Sequence, residues 1–233
     1  MFLKNFWYVA AYDHEIGREP LGRMILGEPV VFFRKEDGAP VAFEDRCAHR
    51  HLPLSMGKLV GDTLQCRYHG LRYDVSGACV KVPGQDTIPP AARVKTYPVV
   101  ERYRWLWIWM GDPALADPAG ITDFHWLDDP SWGAKGQYLH VKANWQLIVD
   151  NLLDLTRLAF VHETTIGNAA LVENAKVKVE RAAGGPHPGR SSDRIQAHPF
   201  QRIRCSTREN SLRLGPMCGG AHVPAKLLVR RRP

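Results

Sequence analysis

Two short pairs constrain this chain more than anything else in it: Cys47-Ala48-His49 and, after sixteen intervening residues, Cys66-Arg67-Tyr68-His69. Each pair sets a thiol two or three residues before an imidazole, so each needs a tight loop if both side chains are to reach the same group. Gly70, directly after His69, allows the backbone to pack closely at such a turn. Two thiolates and two neutral imidazoles suit a [2Fe–2S] centre in which the sulfurs hold one iron and the imidazoles the other. Neutral ligands in place of anionic ones stabilise the reduced form and raise the potential. The competing reading is a structural zinc ion, which accepts the same four donors tetrahedrally. Zinc ligands usually come as a Cys pair and a His pair, whereas both pairs here are mixed. His51, next to this set, is expected to be dispensable as a ligand.

The residues around the pairs carry a resemblance. Cys47-Ala48-His49-Arg50 runs into Pro53-Leu54-Ser55-Met56-Gly57, and Cys66 opens a segment that continues through Gly70-Leu71-Arg72-Tyr73-Asp74 to Gly77. These segments resemble the two cluster-binding hairpin loops of Rieske proteins, and Val82-Pro83-Gly84-Gln85 resembles the proline-bearing loop that covers the cluster in them. The resemblance makes Cys47, His49, Cys66 and His69 the ligands of a [2Fe–2S] cluster. It implies a β-rich cluster domain over residues 1–111. The residue pattern agrees: Val30–Arg34 and Val41–Glu44 flank Lys35-Glu36-Asp37-Gly38 as a hairpin. Tyr103–Met110 alternates tryptophans with aliphatics before Gly111-Asp112-Pro113, which suits a strand buried on both faces. Residues 112–136, rich in Pro, Asp, Gly and Ala, read as a connector, and Tyr138–Lys142 as a resumed strand.

Residues 143–163 contain no Pro or Gly and are densely apolar, so they read as one mostly buried helix. On such a helix Asn151, Asp154, Arg157 and His162 fall within an arc of about 140°. Buried polar groups on one face need partners, and a metal or an ion-pair network supplies them. This segment resembles the iron-binding helix of Rieske non-haem iron oxygenases, where Asn-x2-Asp-x2-His-x4-His places two imidazoles on a mononuclear Fe(II). A distant carboxylate completes the 2-His-1-carboxylate triad. From Phe6 to about residue 180 the chain resembles the oxygenase subunit of vanillate O-demethylase and related aromatic-ether demethylases.

That resemblance implies an α+β chain in which the β-rich Rieske domain is followed, at residues 137–180, by the beginning of a helix-grip catalytic domain. It implies a homotrimer, a separate flavin/[2Fe–2S] reductase that delivers NAD(P)H electrons, and an aromatic acid as substrate. His162 corresponds to an iron ligand. Asp154 corresponds to the acidic residue that bridges a cluster imidazole and an iron-binding imidazole of neighbouring subunits. Two departures stand out. Position 157, where the pattern has His, is Arg, which has no lone pair to donate and does not deprotonate. After Glu180 the chain turns to Arg, Pro, Gly and Ser, so residues 181–233 read as a basic, disordered, out-of-frame or otherwise non-homologous tail in which the distal carboxylate has no match. The competing class is a Rieske ferredoxin-like electron carrier, which has no use for residues 143–167.

The net charge of +7 invites a nucleic-acid partner, but the excess lies in residues 181–233, where eleven Lys or Arg face only Asp193 and Glu209. With no nucleic-acid motif beside it, that reading is set aside. No apolar run approaches the ~18 residues that span a bilayer, and the amino terminus lacks a signal-peptide pattern. A cytoplasmic protein without membrane contact is the expectation, with Cys79, Cys205 and Cys218 as reduced thiols.

Overall fold

The computed structural model describes residues 2–154, 158–162, 180–182, 192–194 and 222–230. The chain divides into two compact units, one ending at Ile121 and the other beginning at Thr122, so the division falls inside the stretch 112–136.

In the first unit β1 (Phe6–Tyr12), β2 (Leu21–Ile25), β3 (Glu28–Arg34) and β4 (Pro40–Glu44) precede β5 (Lys58–Val60), β6 (Thr63–Gln65), β7 (Arg72–Tyr73) and β8 (Cys79–Lys81). β9 (Thr96–Tyr97), β10 (Val99–Arg102) and β11 (Trp105–Met110) complete it. Three antiparallel sheets result, with orders β1-β11-β10, β2-β3-β4-β9 and β5-β6-β7-β8. The expected hairpin is β3–β4, running from Val30 opposite Glu44 to Arg34 opposite Pro40. Its turn is closed by the Lys35 N–H donating to the Ala39 carbonyl at 2.9 Å.

The tryptophan-rich strand begins two residues later than expected. Tyr103 and Arg104 take φ of 59° and 62° and form the turn between β10 and β11. All six residues of β11 are buried, as a strand covered on both faces requires. The indole N–H groups find carbonyls close by: Trp107 donates to Arg102 (3.0 Å), Trp109 to Asp112 (2.7 Å) and Trp7 to Asp117 (2.8 Å). The start of the proposed connector, with 3-10 turns at Pro113–Leu115 and Pro118–Gly120, therefore belongs to this unit's packing.

The second unit contains β12 (Trp132–His140), α1 (Trp145–Leu153), α2 (Leu158–Val161), β13 (Glu180–Ala182), β14 (Ser192–Arg194) and β15 (His222–Arg230). Three expectations are corrected here. β12 starts at Trp132, so the last five residues of the proposed connector are strand. The single helix over 143–163 is broken: Asn144 caps α1 by accepting from the Gln146 N–H, and Asp154, at ψ 87°, ends it. Asp side chains compete for backbone groups and favour helix ends, and Asp154 stands at this one. The common arc through Asn151, Asp154 and His162 is lost with it; Asn151 and Asp154 are exposed, and Arg157 lies outside the described residues. The third correction concerns residues 181–233, expected to hold no strand. β13 pairs with β14, and β15 pairs with β12 along its length, Trp132 opposite Arg230 through His140 opposite His222. Composition averaged over the segment hides the aliphatic run Val223, Ala225, Leu227, Leu228, Val229, which suits a strand.

Candidate metal centre

The two Cys/His pairs sit on loops at one end of the β5–β8 sheet. The first loop joins β4 to β5 and the second joins β6 to β7. Their backbones repeat one pattern. In the first, the Cys47 N–H donates to the Leu52 carbonyl at 2.9 Å and the His51 N–H to the Cys47 carbonyl at 2.9 Å. In the second, the Cys66 N–H donates to the Leu71 carbonyl at 2.8 Å and the Gly70 N–H to the Cys66 carbonyl at 3.1 Å. The residue four after each cysteine is left-handed, with φ of 57° at His51 and 75° at Gly70. This turn folds each imidazole back toward its own cysteine.

The loops bring the four side chains together as two like pairs. Cys47 and Cys66 are each 2 % exposed, and Cys47 is near enough to raise the pKa of Cys66. The imidazoles stand at the exposed side, with Nδ1 of His49 3.1 Å from Nδ1 of His69 and ring centroids 4.6 Å apart. Tyr68 lies over His69, centroids 3.9 Å apart. Among the described residues no three His, Cys, Asp or Glu side chains meet at one ion position. A tetrahedral zinc needs four donors around one point, whereas a mixed-ligand [2Fe–2S] group needs a sulfur pair and a nitrogen pair held apart. The donor set fits the latter.

Burial pushes the Cys66 thiol above its ordinary pKa, with the Cys47 sulfur adding to the rise, while the Tyr68 and His69 backbone N–H groups work the other way. Those amides are donors ready for a thiolate. Burial, and then Cys47, likewise push the Tyr73 phenol up. Its oxygen accepts from the Ala48 N–H at 3.1 Å and lies 3.1 Å from Cys47 Sγ. Either atom of the Tyr73–Cys47 pair can be the donor, but once Cys47 is a thiolate it has no proton of its own and the phenol donates to it.

Residues outside the pairs fix the loops. Asp45, 8 % exposed, accepts from the Ser55 N–H at 2.7 Å and the Ser55 hydroxyl at 2.6 Å, tying the start of the first loop to its end. Gly22 leaves room for that pair, since a Cβ there would lie 2.8 Å from Ser55 Oγ. Pro83 packs against Gly70, where a Cβ would lie 3.0 Å from Pro83 Cγ, so the Val82–Gln85 segment does approach the second loop. The sequence reading missed Tyr73 and Asp45. An Asp two residues before the first ligand and a Ser ten residues later is a signal only once the loop is known to close on itself.

Asp154, expected to bridge imidazoles of neighbouring subunits, is exposed at the end of α1, and His162, expected as an iron ligand, is half-buried after α2.

Residues 6–98 match the Rieske [2Fe-2S] domain, and residues 141–213 match the vanillate O-demethylase oxygenase C-terminal domain. A solved structure of dicamba monooxygenase is 32 % identical, covers 99 % of this chain and 77 % of that one, and superposes with a TM-score of 0.69. The chain belongs to the Rieske oxygenase subunits. A second dicamba monooxygenase structure, bound to dicamba, gives 44 % identity and a TM-score of 0.72 over 78 % of this chain and 55 % of that one. The iron-sulfur subunit of the toluene-4-sulfonate monooxygenase system of Comamonas testosteroni is 52 % identical over 79 % of this chain and 53 % of its own length. The vanillate O-demethylase oxygenase subunit of a Pseudomonas strain is 40 % identical over 87 % of this chain and 56 % of its own. The chain spans about half the length of the curated Rieske oxygenase relatives it matches. The C-terminal domain match runs on to residue 213, so the change of composition near 181 does not mark where likeness to the Rieske oxygenase family stops.

No helix among the described residues is long and apolar enough to cross a membrane.

Proposed function

We propose that this chain serves as the electron-accepting oxygenase subunit in O2-dependent O-demethylation or hydroxylation of a vanillate-like aromatic acid. Reducing equivalents come from NAD(P)H through a separate flavin/[2Fe–2S] reductase. Cys47 and Cys66 hold one iron of the cluster, and His49 and His69 hold the other. When bound, the cluster supplies one-electron transfer. The observation that carries the reading is the pair of imidazoles facing each other at 3.1 Å on the exposed side of two buried cysteines.

The side chains around the cluster have separable tasks. The backbone N–H groups of Tyr68 and His69 ease charge on Cys66, and the Tyr73 phenol lies 3.1 Å from Cys47 Sγ, where it can donate to a thiolate. Burial keeps water from the sulfur side. The exposed imidazole edges are the side on which a partner's redox group can come close. In the family's homotrimeric arrangement, Asp154 of one subunit would orient an imidazole of the next; its exposure at the end of α1 leaves it accessible for that role. His162 is the remaining candidate ligand for a mononuclear Fe(II), and a dicamba monooxygenase structure holds a non-heme iron together with dicamba. The guanidinium of Arg157 cannot serve beside it, so no step is assigned to that metal in this chain.

An electron carrier without oxygenase chemistry is the second reading. The C-terminal domain match at residues 141–213 favours the oxygenase. The test is iron and acid-labile sulfide analysis with the visible spectrum of the purified chain. Two irons and two sulfides per chain are expected, and stoichiometric zinc without sulfide would refute the ligand assignment. Because Arg157 leaves the second metal site incomplete, NADH- and O2-dependent formaldehyde release from methoxybenzoates, with a matched reductase, is measured in an Arg157→His variant extended to its relatives' length; release there, and not from the unmodified chain, separates oxygenase from carrier.

A further inference from the structure

The charges of the first unit are segregated in a way the ligand set does not explain. Residues 46–95 carry eight Lys or Arg against Asp62, Asp74 and Asp86, whereas residues 2–45 carry five against eight acids. Outside the cluster region the cations are tied down: Arg18 binds Asp62, Arg23 binds Glu15, Arg34 binds Glu101 and Arg104 binds Asp13. Around the cluster five of the eight are not, Arg46 being paired with Glu44, Lys95 with Glu28, and Arg93 bonded to the Ser76 carbonyl. Among the described residues Arg50, Lys58, Arg67, Arg72 and Lys81 enter no ion pair. Asp62 is held by Arg18, and Asp74 is occupied by the Ser76 and Ala78 N–H groups and the Ser76 hydroxyl of its own turn.

Strand register arranges these cations. Lys58 lies opposite Gln65, Gln65 opposite Arg72 and Arg72 opposite Lys81. Directly opposed residues share a face of the sheet, so Lys58, Arg72 and Lys81 form one row across all four strands. Gln65 sits between two of them and accepts from Arg72 Nε at 3.0 Å. The row runs at the foot of the second loop, since Gln65 precedes Cys66 and Arg72 follows Leu71. Arg50 and Arg67, both exposed, extend it onto the two loops themselves. Like charges directly opposed across a ladder destabilise it, and Arg72 and Lys81 are so opposed with no acid between them. A fold with nothing to gain from that row has no reason to keep it uncompensated.

We infer that the row Lys58–Arg72–Lys81, continued by Arg50 and Arg67, is the docking surface for an acidic face of the electron-donating protein. The inference rests on the function proposed above and adds to it the place and charge of the contact. Rows of one sign beside a redox group raise encounter rates with a partner of the opposite sign, and salt removes the gain. A small anionic substrate is the poorer fit, because the five cations line an exposed sheet face and two loops and do not converge on one point.

The test is stopped-flow reduction of the oxidised full chain by a reduced plant-type [2Fe–2S] ferredoxin, an acidic carrier, followed at the visible bands of the cluster. The second-order rate constant should fall about tenfold between 20 and 300 mM NaCl. It should fall by at least about threefold at low salt in the double variant Lys58→Glu, Lys81→Glu. Reduction of the same proteins by a photogenerated neutral deazaflavin radical should change in neither case. A rate indifferent to salt, or a double variant that matches the parent with its cluster spectrum intact, overturns the docking surface and leaves the function standing. A chain that carries no cluster at all overturns both.

Discussion

Tyr73 shows how much one side chain can settle. Its oxygen takes the Ala48 N–H and faces Cys47 Sγ, both at 3.1 Å, so it joins the strand leaving the second loop to the first ligand of the other. Tyr73→Phe removes a hydrogen-bonding partner of the sulfur and leaves the part-buried Ala48 N–H without its acceptor. We expect a cost of about 1 to 3 kcal/mol in denaturant unfolding and a lower reduction potential in a redox titration followed by electron paramagnetic resonance. An unchanged potential would show that the phenol proton does not point at the sulfur. The left-handed positions make a paired test. Gly70→Ala meets both φ 75° and Pro83 Cγ, and should cost about 1 to 2 kcal/mol and lower the iron content of the purified chain. His51→Gly, at the matching position of the first loop, should leave iron content and spectrum unchanged, since His51 takes no part in the ligand set. The four Cys and His side chains that the two loops bring together were legible because the spacing within each pair is local. Tyr73 and Asp45 were not, because their partners lie 26 and 10 residues away in sequence and nothing in a linear reading brings them together.

At the scale of elements, the β-hairpins were read well and the helix was not. Alternation and turn residues mark β3, β4 and β11 directly, whereas the absence of Pro and Gly from 143–163 says only that a helix is permitted. It does not say that one helix runs unbroken through Asp154. A second kind of link between elements is ionic. Glu28, on β3, accepts from Lys4 (2.5 Å), Lys95 (2.8 Å) and the Tyr97 hydroxyl (2.7 Å). Burial works to raise its carboxyl pKa, but the three donors outweigh it and hold the group at about 2. A carboxylate lowered on folding stabilises the native state fully above its unfolded pKa, and that contribution is lost as pH falls through the folded value. Thermal unfolding between pH 5 and pH 2 should therefore show a steep acid limb that is flatter in Glu28→Gln. Parallel limbs in the two proteins would mean that these donors contribute nothing net.

The whole molecule combines a cluster domain whose loops, turns and core agree with one another and a second unit whose sequence departs from the pattern the resemblance implies. Arg157 stands where the resemblance has a histidine, and an arginine brings a fixed charge and no lone pair. The chain as given is expected to retain two irons and no third, and to release no formaldehyde from methoxybenzoates; Arg157→His in a full-length version should raise the iron count toward three. A third iron in the unmodified chain would require another ligand, His140 or Asp150 among them. The segment after residue 181 was the least legible, since a basic average concealed the run that becomes β15. The pairing order has a further consequence for how such a molecule is made. β5 to β8 join by successive hairpins, each closing over a few residues, whereas β1 waits for β11, whose paired residues lie 93 to 104 positions downstream. Short closures form before long ones. On a growing chain both Cys/His loops can thus close while β1 still lacks β11, leaving an interval in which iron and sulfide can reach the four side chains before that pair of strands forms.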